Sequence, residues 1–422
     1  MKWIAEAWLN QRKVVAVESP MQSTPDSRSQ RLVRLKARRK LWLEVHLWLG
    51  LIAGAVLVVI GLTGSVLVFW QEIDAWLNPD LMTVHVPEDQ AVYRPLDEIV
   101  AAAKSAMPPG AAPGFTYYPR SPEGVFAFFY QEPGVAQDTA GSLNVFVDPY
   151  TARVTGSRVF YDGRSYFGNC LMGFVFKLHY ALLWKEHGVV LVGAIGVLLV
   201  VSVLSGLIVW WPLTGHWLKA LTVKRRASAE RLNFDLHKTF GFYSALVLLA
   251  VLVSGVYMNL PDQIVWLVER FSPVTLPEKI RSTVIPDRPT LGLDQAVAVA
   301  QSHYPGGKLS VLNLPTEPEG TYQVCSQAVE ALRPYVLDTR CVYIDQYSAE
   351  VLKVSDPANG SGGDVFIQWQ WPLHSGQAFG MPGRILVFLS GLACAVLYVT
   401  GVIRWLQKRR ASLENKGQPR SG

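Results

Sequence analysis

"HLWLGLIAGAVLVVIGLTG", residues 46–64, decides the fold. A span needs about 20 apolar residues to cross a bilayer, and this stretch is long and uncharged enough to supply most of them. It opens on a histidine, His46, and closes on Thr63-Gly64. The frame recurs at residues 237–255, "HKTFGFYSALVLLAVLVSG", where His237, Gly241 and Ser254-Gly255 repeat the spacing of His46, Gly50 and Thr63-Gly64. A membrane span that begins on a histidine and is used twice is the feature from which the rest of the chain is read.

Working outward, four runs have the length and apolarity of spans: Val45–Gln71, Gly188–Leu218, Thr239–Pro261 and Ile385–Ile403. The second and fourth also match. "LH" at His179 and at His374 is followed at equal spacings by Gly188 and Gly383, by Ser205-Gly206 and Thr400-Gly401, and by Trp210 and Trp405. This internal match selects four histidines of the eight. His85, His187, His216 and His303 fall opposite Ser282, Pro382, Ala411 and Ala106 and drop out.

A chain of 422 residues that is half hydrophobic suits a multi-spanning membrane protein better than a small soluble domain. The net charge of +6 does not point to nucleic acid, because the basic residues crowd beside the apolar runs: Arg34 to Lys40, the loop from Lys219 to Lys238, and the tail from Arg404 to Arg410. Such clusters mark cytoplasmic segments, so both termini are expected in the cytoplasm. The expected divisions are a disordered leader over 1–40, a first span over 41–71, and a first exported domain over 72–177. A second span with an exported extension covers 178–218, a cytoplasmic loop 219–238, and a third span 239–261. A second exported domain over 262–383, a fourth span over 384–405 and a tail over 406–422 complete the chain. The first span lacks a cleavage site of small residues and reads as uncleaved.

The exported segments repeat as well. "VFVDPYTARV" at 145–154 and "VYIDQYSAEV" at 342–351 share alternating apolar residues around an Asp-x-Tyr core. Each follows a helical pattern, "PLDEIVAAAKSAMP" from Pro95 and "GLDQAVAVAQSHYP" from Gly292. The expected fold is therefore a mainly α membrane protein, a four-helix bundle carrying two small α+β domains of one design. Cys325 and Cys341 stand in the second domain either as a disulfide or as two thiols. Covalent haem attachment is excluded, since no Cys-x-x-Cys-His occurs.

Spans 1 and 3 run outward and carry their histidine at the start; spans 2 and 4 run inward and do the same. His46 and His237 thus share the cytoplasmic depth and His179 and His374 the outer one, about 27 Å apart at ~1.5 Å per helical residue. Two imidazoles projecting into a bundle from opposite helices suit the axial ligation of a haem iron. Gly64, Gly255, Gly206 and Gly401 are expected to let a porphyrin plane approach the backbone, although small residues also serve helix packing in lipid. Zinc or copper is the competing occupant, but no cysteine or carboxylate set repeats beside either pair. Glu44 and Asp235, each two residues before a histidine, are candidates to orient the imidazoles or simply lie in interfacial water. Lys177, Arg384, Lys238 and Lys40 lie near the ends where haem propionates would need cations, and Trp369, Trp371, Trp210 and Trp211 where aromatic belts or a cofactor wall would form.

These motifs together, with "DLHKTFGFY" at the entry to the third span, resemble the PepSY-associated transmembrane proteins, and among them the iron-regulated inner-membrane reductases that act on ferric siderophores. The resemblance covers about Leu41 to Arg410. It implies two haem b groups on His46/His237 and His179/His374, two PepSY-type periplasmic domains, and reduction of a ferric siderophore in the periplasm. No glycine-rich dinucleotide fingerprint follows a strand, so a quinol or a cytoplasmic reductase is expected to supply electrons, with membrane lipid as the surrounding partner and no nucleic acid. The rival expectations are a siderophore or iron permease, which needs polar residues along the spans, and a non-enzymatic regulator of a peptidase.

Overall fold

In the computed structural model the described residues are 27–417 apart from 90–91, 132–140, 164, 166–167, 169, 213–214, 225, 276–279, 329–338 and 357–358. The leader expected over 1–40 lies outside them as far as residue 26. Among the described residues, four helices are long and apolar enough to cross a membrane. They belong to α1 (Ser27–Val68), α6 (Lys185–Trp210), α8 (Ala229–Asn259) and α12 (Gly380–Gly417). Even α6, with 26 residues, is about 39 Å long at ~1.5 Å per residue, more than the hydrocarbon core of about 30 Å. α1 and α12 run past the apolar limits of the spans because the basic flanks are good helix formers and simply continue the ladder.

The four pack as a ring. α1 lies against α6 and α12, and α8 lies against the same two, so α1 stands diagonally across the bundle from α8. The spans are joined on one side by α7 (Trp217–Leu221) in the basic loop. On the other side, α1 and α8 each lead into a short helix, α2 (Trp70–Leu77) followed by α3 (Pro79–Met82), and α9 (Pro261–Val268). Trp76 and Trp266 are exposed on them, as aromatic anchors at a membrane surface would be.

A short helix carrying the histidine precedes the second and the fourth span, and the chain breaks between the two. α5 (Leu171–Ala181) stops ahead of α6, with Leu182, Leu183 and Lys185 at positive φ, and α11 (Gly362–Ser375) stops ahead of α12 at Gly376, φ 75°. A Cβ on Gly188 would fall 1.8 Å from the carbonyl oxygen of Ala181, and one on Gly383 would fall 2.2 Å from that of Gly376. The two glycines matched in sequence are therefore the residues that let each short helix fold back onto the start of its span. α11 begins with a capping box, Ser361 with Asp364.

The two segments expected to be separate domains form one sheet. Helix α4 (Leu96–Ser105) precedes β1 (Phe115–Tyr117), β2 (Phe126–Gln131), β3 (Ser142–Val147) and β4 (Val154–Tyr161); helix α10 (Leu293–His303) precedes β5 (Gly307–Asn313), β6 (Thr321–Ala328), β7 (Thr339–Asp345) and β8 (Val351–Ser355). All neighbours are antiparallel in the order β4-β3-β2-β1-β5-β6-β7-β8. The join is β1 on β5, with Thr116 opposite Leu312. One core spans the join: Phe126, Phe128 and Val145 from the first half pack with Leu312, Val324 and Ile344 from the second, beneath Ile99 of α4 and Ala296 of α10.

The two helices also cap each other. Asp294 accepts hydrogen bonds from the backbone N–H groups of Leu96 and Asp97, and Asp97 accepts from that of Leu293, so each carboxylate faces the positive end of the other helix. Cys325 and Cys341 face each other across β6 and β7 and form a disulfide. The opposite face of the sheet packs on α3 through Leu81 and Met82, and the buried pair Asp74 and Arg158 ties β4 to α2, directly after the first span.

Candidate functional site

Each of the four matched histidines has its Nδ1 fixed by a neighbouring helix. Nδ1 of His46 lies 2.9 Å from the carbonyl oxygen of Ser202, that of His179 2.9 Å from the carbonyl of Ile60, and that of His374 2.9 Å from the carbonyl of Val251. A carbonyl only accepts, so Nδ1 carries the proton in all three. His237 Nδ1 lies 2.9 Å from Thr400 Oγ1, whose own hydroxyl is donated to the carbonyl of Val396; here too Nδ1 donates. Nε2 is left unprotonated with its lone pair free in every case, the state that a metal-ligating imidazole needs.

The serines and threonines of the repeated motif take part. Thr63 Oγ1 is 3.2 Å from His179 Nδ1 and Ser254 Oγ is 3.1 Å from His374 Nδ1, while each donates back to its own helix. Ser205 also bonds back to its helix, at Ser202, whose carbonyl holds His46. The glycine that follows makes the room. A Cβ on Gly64 would lie 2.9 Å from Cε1 of His179, on Gly206 2.9 Å from Cε1 of His46, on Gly255 3.1 Å from Cε1 of His374, and on Gly401 3.3 Å from Cε1 of His237. The sequence suggested a porphyrin plane against these glycines. The structure puts the edge of an imidazole there, because the histidine leans across onto the neighbouring span at the point where a side chain is missing.

The four rings stand in two pairs. The rings of His46 and His237 stand 6.1 Å apart between centroids and those of His179 and His374 5.9 Å apart. An imidazole nitrogen ligates a transition metal at about 2.0 Å, so two rings on one ion stand about 6 Å apart between centroids. Gly64, which touches the outer pair, lies on the same helix as His46 of the inner pair, about 27 Å along it at ~1.5 Å per residue. The pairs are two sites at two depths.

Around the outer pair the bundle is open. A cleft with about 1090 Å³ of empty space, its mouth included, is lined on its floor by Leu57, Ile60, Leu248 and Val251 and reaches His179 and His374. A second, of about 520 Å³, meets the same two rings from the side of Val192, Gly196 and Gly255. The mouth of the larger cleft is polar, with Glu72, Arg120, Gln377 and Arg384. Arg384 is committed: it donates to the carbonyl of Val68 and pairs with Glu72 at 2.6 Å.

The other candidates sort as follows. Asp235 does not orient His237. It is buried, pairs with Lys238 and Arg231 on its own helix, and accepts the backbone N–H of Lys224 from the basic loop, while Glu44 is exposed. Lys238 is thereby occupied, and Lys40 is exposed. Lys177 sits over the ring of Tyr161 at 4.0 Å. Trp371 lines the outer cleft, Trp210 stacks on Phe242 and Trp211 is exposed. His187 is exposed beside Trp184, away from the paired rings. Sequence reasoning missed Arg120, which comes from the turn after β1 and has no motif around it.

Among the described residues no group of three or more His, Cys, Asp or Glu could hold a metal ion. A bare zinc or copper site of the usual four-ligand kind therefore lacks its donors there. A haem brings four equatorial nitrogens of its own and asks the protein only for axial ligands, which is what each pair offers, and at the outer pair an apolar cleft adjoins the rings. The residues fit that group. The sequence family described as the PepSY-associated TM region matches residues 43–408, nearly the whole chain. No curated protein matches it.

Proposed function

The chain belongs to the family of the PepSY-associated TM region, and from that premise we propose that it is an inner-membrane reductase of ferric siderophores that uses two haem b groups. The observation that carries this reading is the pair of facing imidazoles, made twice at two depths, with every Nδ1 proton already given to a neighbouring helix.

Bound haem supplies the one-electron chemistry of iron at each level. What the chain does is hold and orient. His46 and His237 sit toward the basic loop, which the positive-inside rule assigns to the cytoplasm, where a quinol or a cytoplasmic reductase delivers electrons. His179 and His374 sit at the other end, beneath the sheet, which we assign to the periplasm together with its disulfide, a bond that persists in an oxidising compartment. The carbonyls of Ile60 and Val251 hold the Nδ1–H of both outer rings and leave Nε2 as the ligating nitrogen. The floor of the cleft excludes water with Leu57, Ile60, Leu248 and Val251, and its mouth opens beside the sheet, where a ferric chelate arrives.

The substrate gains one electron, Fe(III) becoming Fe(II), and the chelate releases the softer, less charged ion. The direct test is to mix dithionite-reduced, desalted protein in detergent with a ferric trihydroxamate and follow the visible spectrum together with an Fe(II) trap. Reoxidation of the protein with stoichiometric Fe(II) supports the reading. Reduced protein that stays reduced in the presence of the chelate contradicts it.

A further inference from the structure

The larger outer cleft is amphipathic. Its floor, around His179 and His374, is apolar, and its mouth holds two arginines and one carboxylate. Arg384 and Glu72 neutralise each other in an ion pair. Arg120 remains over: Glu72 and Arg384 act on it through space, but no hydrogen bond or ion pair engages it among the described residues. A cation in surplus at the rim of an apolar cavity selects a ligand with an apolar body and an anionic edge.

Arg120 is also the one of these three residues that follows directly on a strand of the sheet. It follows Pro119 in the turn after β1, and β1 is the strand through which the two halves of the sheet are joined. We propose that Arg120 is the receptor for an anionic oxygen group presented at the mouth of the outer cleft whose walls also carry His179 and His374. This rests on the functional reading above. The chemistry it names, a carboxylate or a similar oxyanion on a guanidinium, has two sources: the carboxylate edge of the tetrapyrrole in the cleft, or an anionic oxygen of the ferric chelate.

The test uses the full chain purified with its haem, as wild type, R120Q and the charge-preserving R120K, with R120A in place of R120Q should that variant not fold. Haem per chain and the midpoint potential of each haem are read by spectroelectrochemistry, and the reoxidation of reduced protein is titrated with ferric citrate, an anionic chelate, and with a neutral ferric trihydroxamate. If the anion belongs to the cofactor, R120Q lowers one of the two potentials or loses one haem, because reduction adds a negative charge that a nearby cation favours. The other haem is unchanged and reports an intact fold, and R120K restores the first. If the anion belongs to the substrate, both potentials hold, the half-saturating ferric citrate concentration rises several-fold, and that of the neutral chelate does not move. Two retained haems, unchanged potentials and unchanged titrations in R120Q overturn the inference and leave the functional reading standing. A wild-type chain that carries no haem overturns the reading itself, and the inference with it.

Discussion

The imidazole of His179 occupies the space where a side chain on Gly64 would have to go: a Cβ at residue 64 would lie 2.9 Å from Cε1 of that ring. The same relationship holds between Gly206 and His46 at 2.9 Å and is looser between Gly255 and His374 at 3.1 Å and between Gly401 and His237 at 3.3 Å. The four alanine variants are therefore expected to differ in severity. G64A and G206A should each displace one histidine and cut haem from two per chain toward one, whereas G401A should keep both, since its neighbour needs to give only a few tenths of an ångström. Haem content by the pyridine haemochrome assay checks the order. Equal, full occupancy in all four would show that the glycines serve helix packing alone.

Asp97 and Asp294 cap each other's helices at the centre of the sheet layer. Burial, and then the charge of Asp294, raise the Asp97 carboxyl above its usual pKa against the pull of the Leu293 N–H. A group raised in the folded state stabilises most below its unfolded pKa, and that contribution fades as pH rises through the folded value. D97A removes the acceptor and should cost about 1 kcal/mol at neutral pH. D97N keeps an acceptor for Leu293 and removes the repulsion, so it should be neutral or slightly stabilising there and flatten the pH dependence. Chemical unfolding followed by intrinsic fluorescence at pH 5 and 8 measures both.

Asp345 works with the opposite sign. Burial alone would raise its pKa, but the N–H groups of Ser348, Tyr347 and Thr283 outweigh it and hold the carboxyl below the usual range. Its contribution is complete above the unfolded value of about 3.9 and is lost as pH falls through the lower folded value. D345A should destabilise the sheet by about 2 kcal/mol at pH 7, and the gap from wild type should close in acid below the folded pKa. A gap that stays constant down to the lowest accessible pH would contradict the assignment.

The disulfide closes a short loop, with a sequence separation of 16 between Cys325 and Cys341. Removing a link of that span costs about 3 kcal/mol in the chain-entropy account. The C325A/C341A double variant should unfold at correspondingly lower denaturant while keeping the visible spectrum of wild type. A changed spectrum would show that the sheet and the histidine pairs are coupled more tightly than their separate packing implies.

The spans and the four histidines were legible because apolar length and a repeated spacing are properties of sequence. His46 and His237 share a frame with Gly50 and Gly241, and that frame places the rings at one depth before any contact is known. The continuous sheet was not legible. The β1–β5 pairing is made by backbone groups of Phe115 to Tyr117, and edge pairing leaves no side-chain signature to match. Nor was the helix break ahead of the second span, which falls on Leu182, Leu183 and Lys185, residues with no turn preference, and is enforced instead by the contact of Gly188 with Ala181. Asp235 looked like a partner of His237 because it is two residues away, but residues at that spacing on a helix do not face each other. Arg120 gave no sign, since its relation to His179 exists only once the sheet is seated on the bundle.

The central claim is that two facing pairs of histidines each hold a haem, and the visible spectrum of the purified chain tests it most directly. Oxidised and dithionite-reduced protein should show a low-spin b-type spectrum with about two haems per chain. H179A or H374A should remove one haem, H46A or H237A the other, and a variant carrying one change from each pair should be colourless. A folded wild-type chain without absorbance in the Soret region, or single-histidine variants that keep both haems, would contradict it.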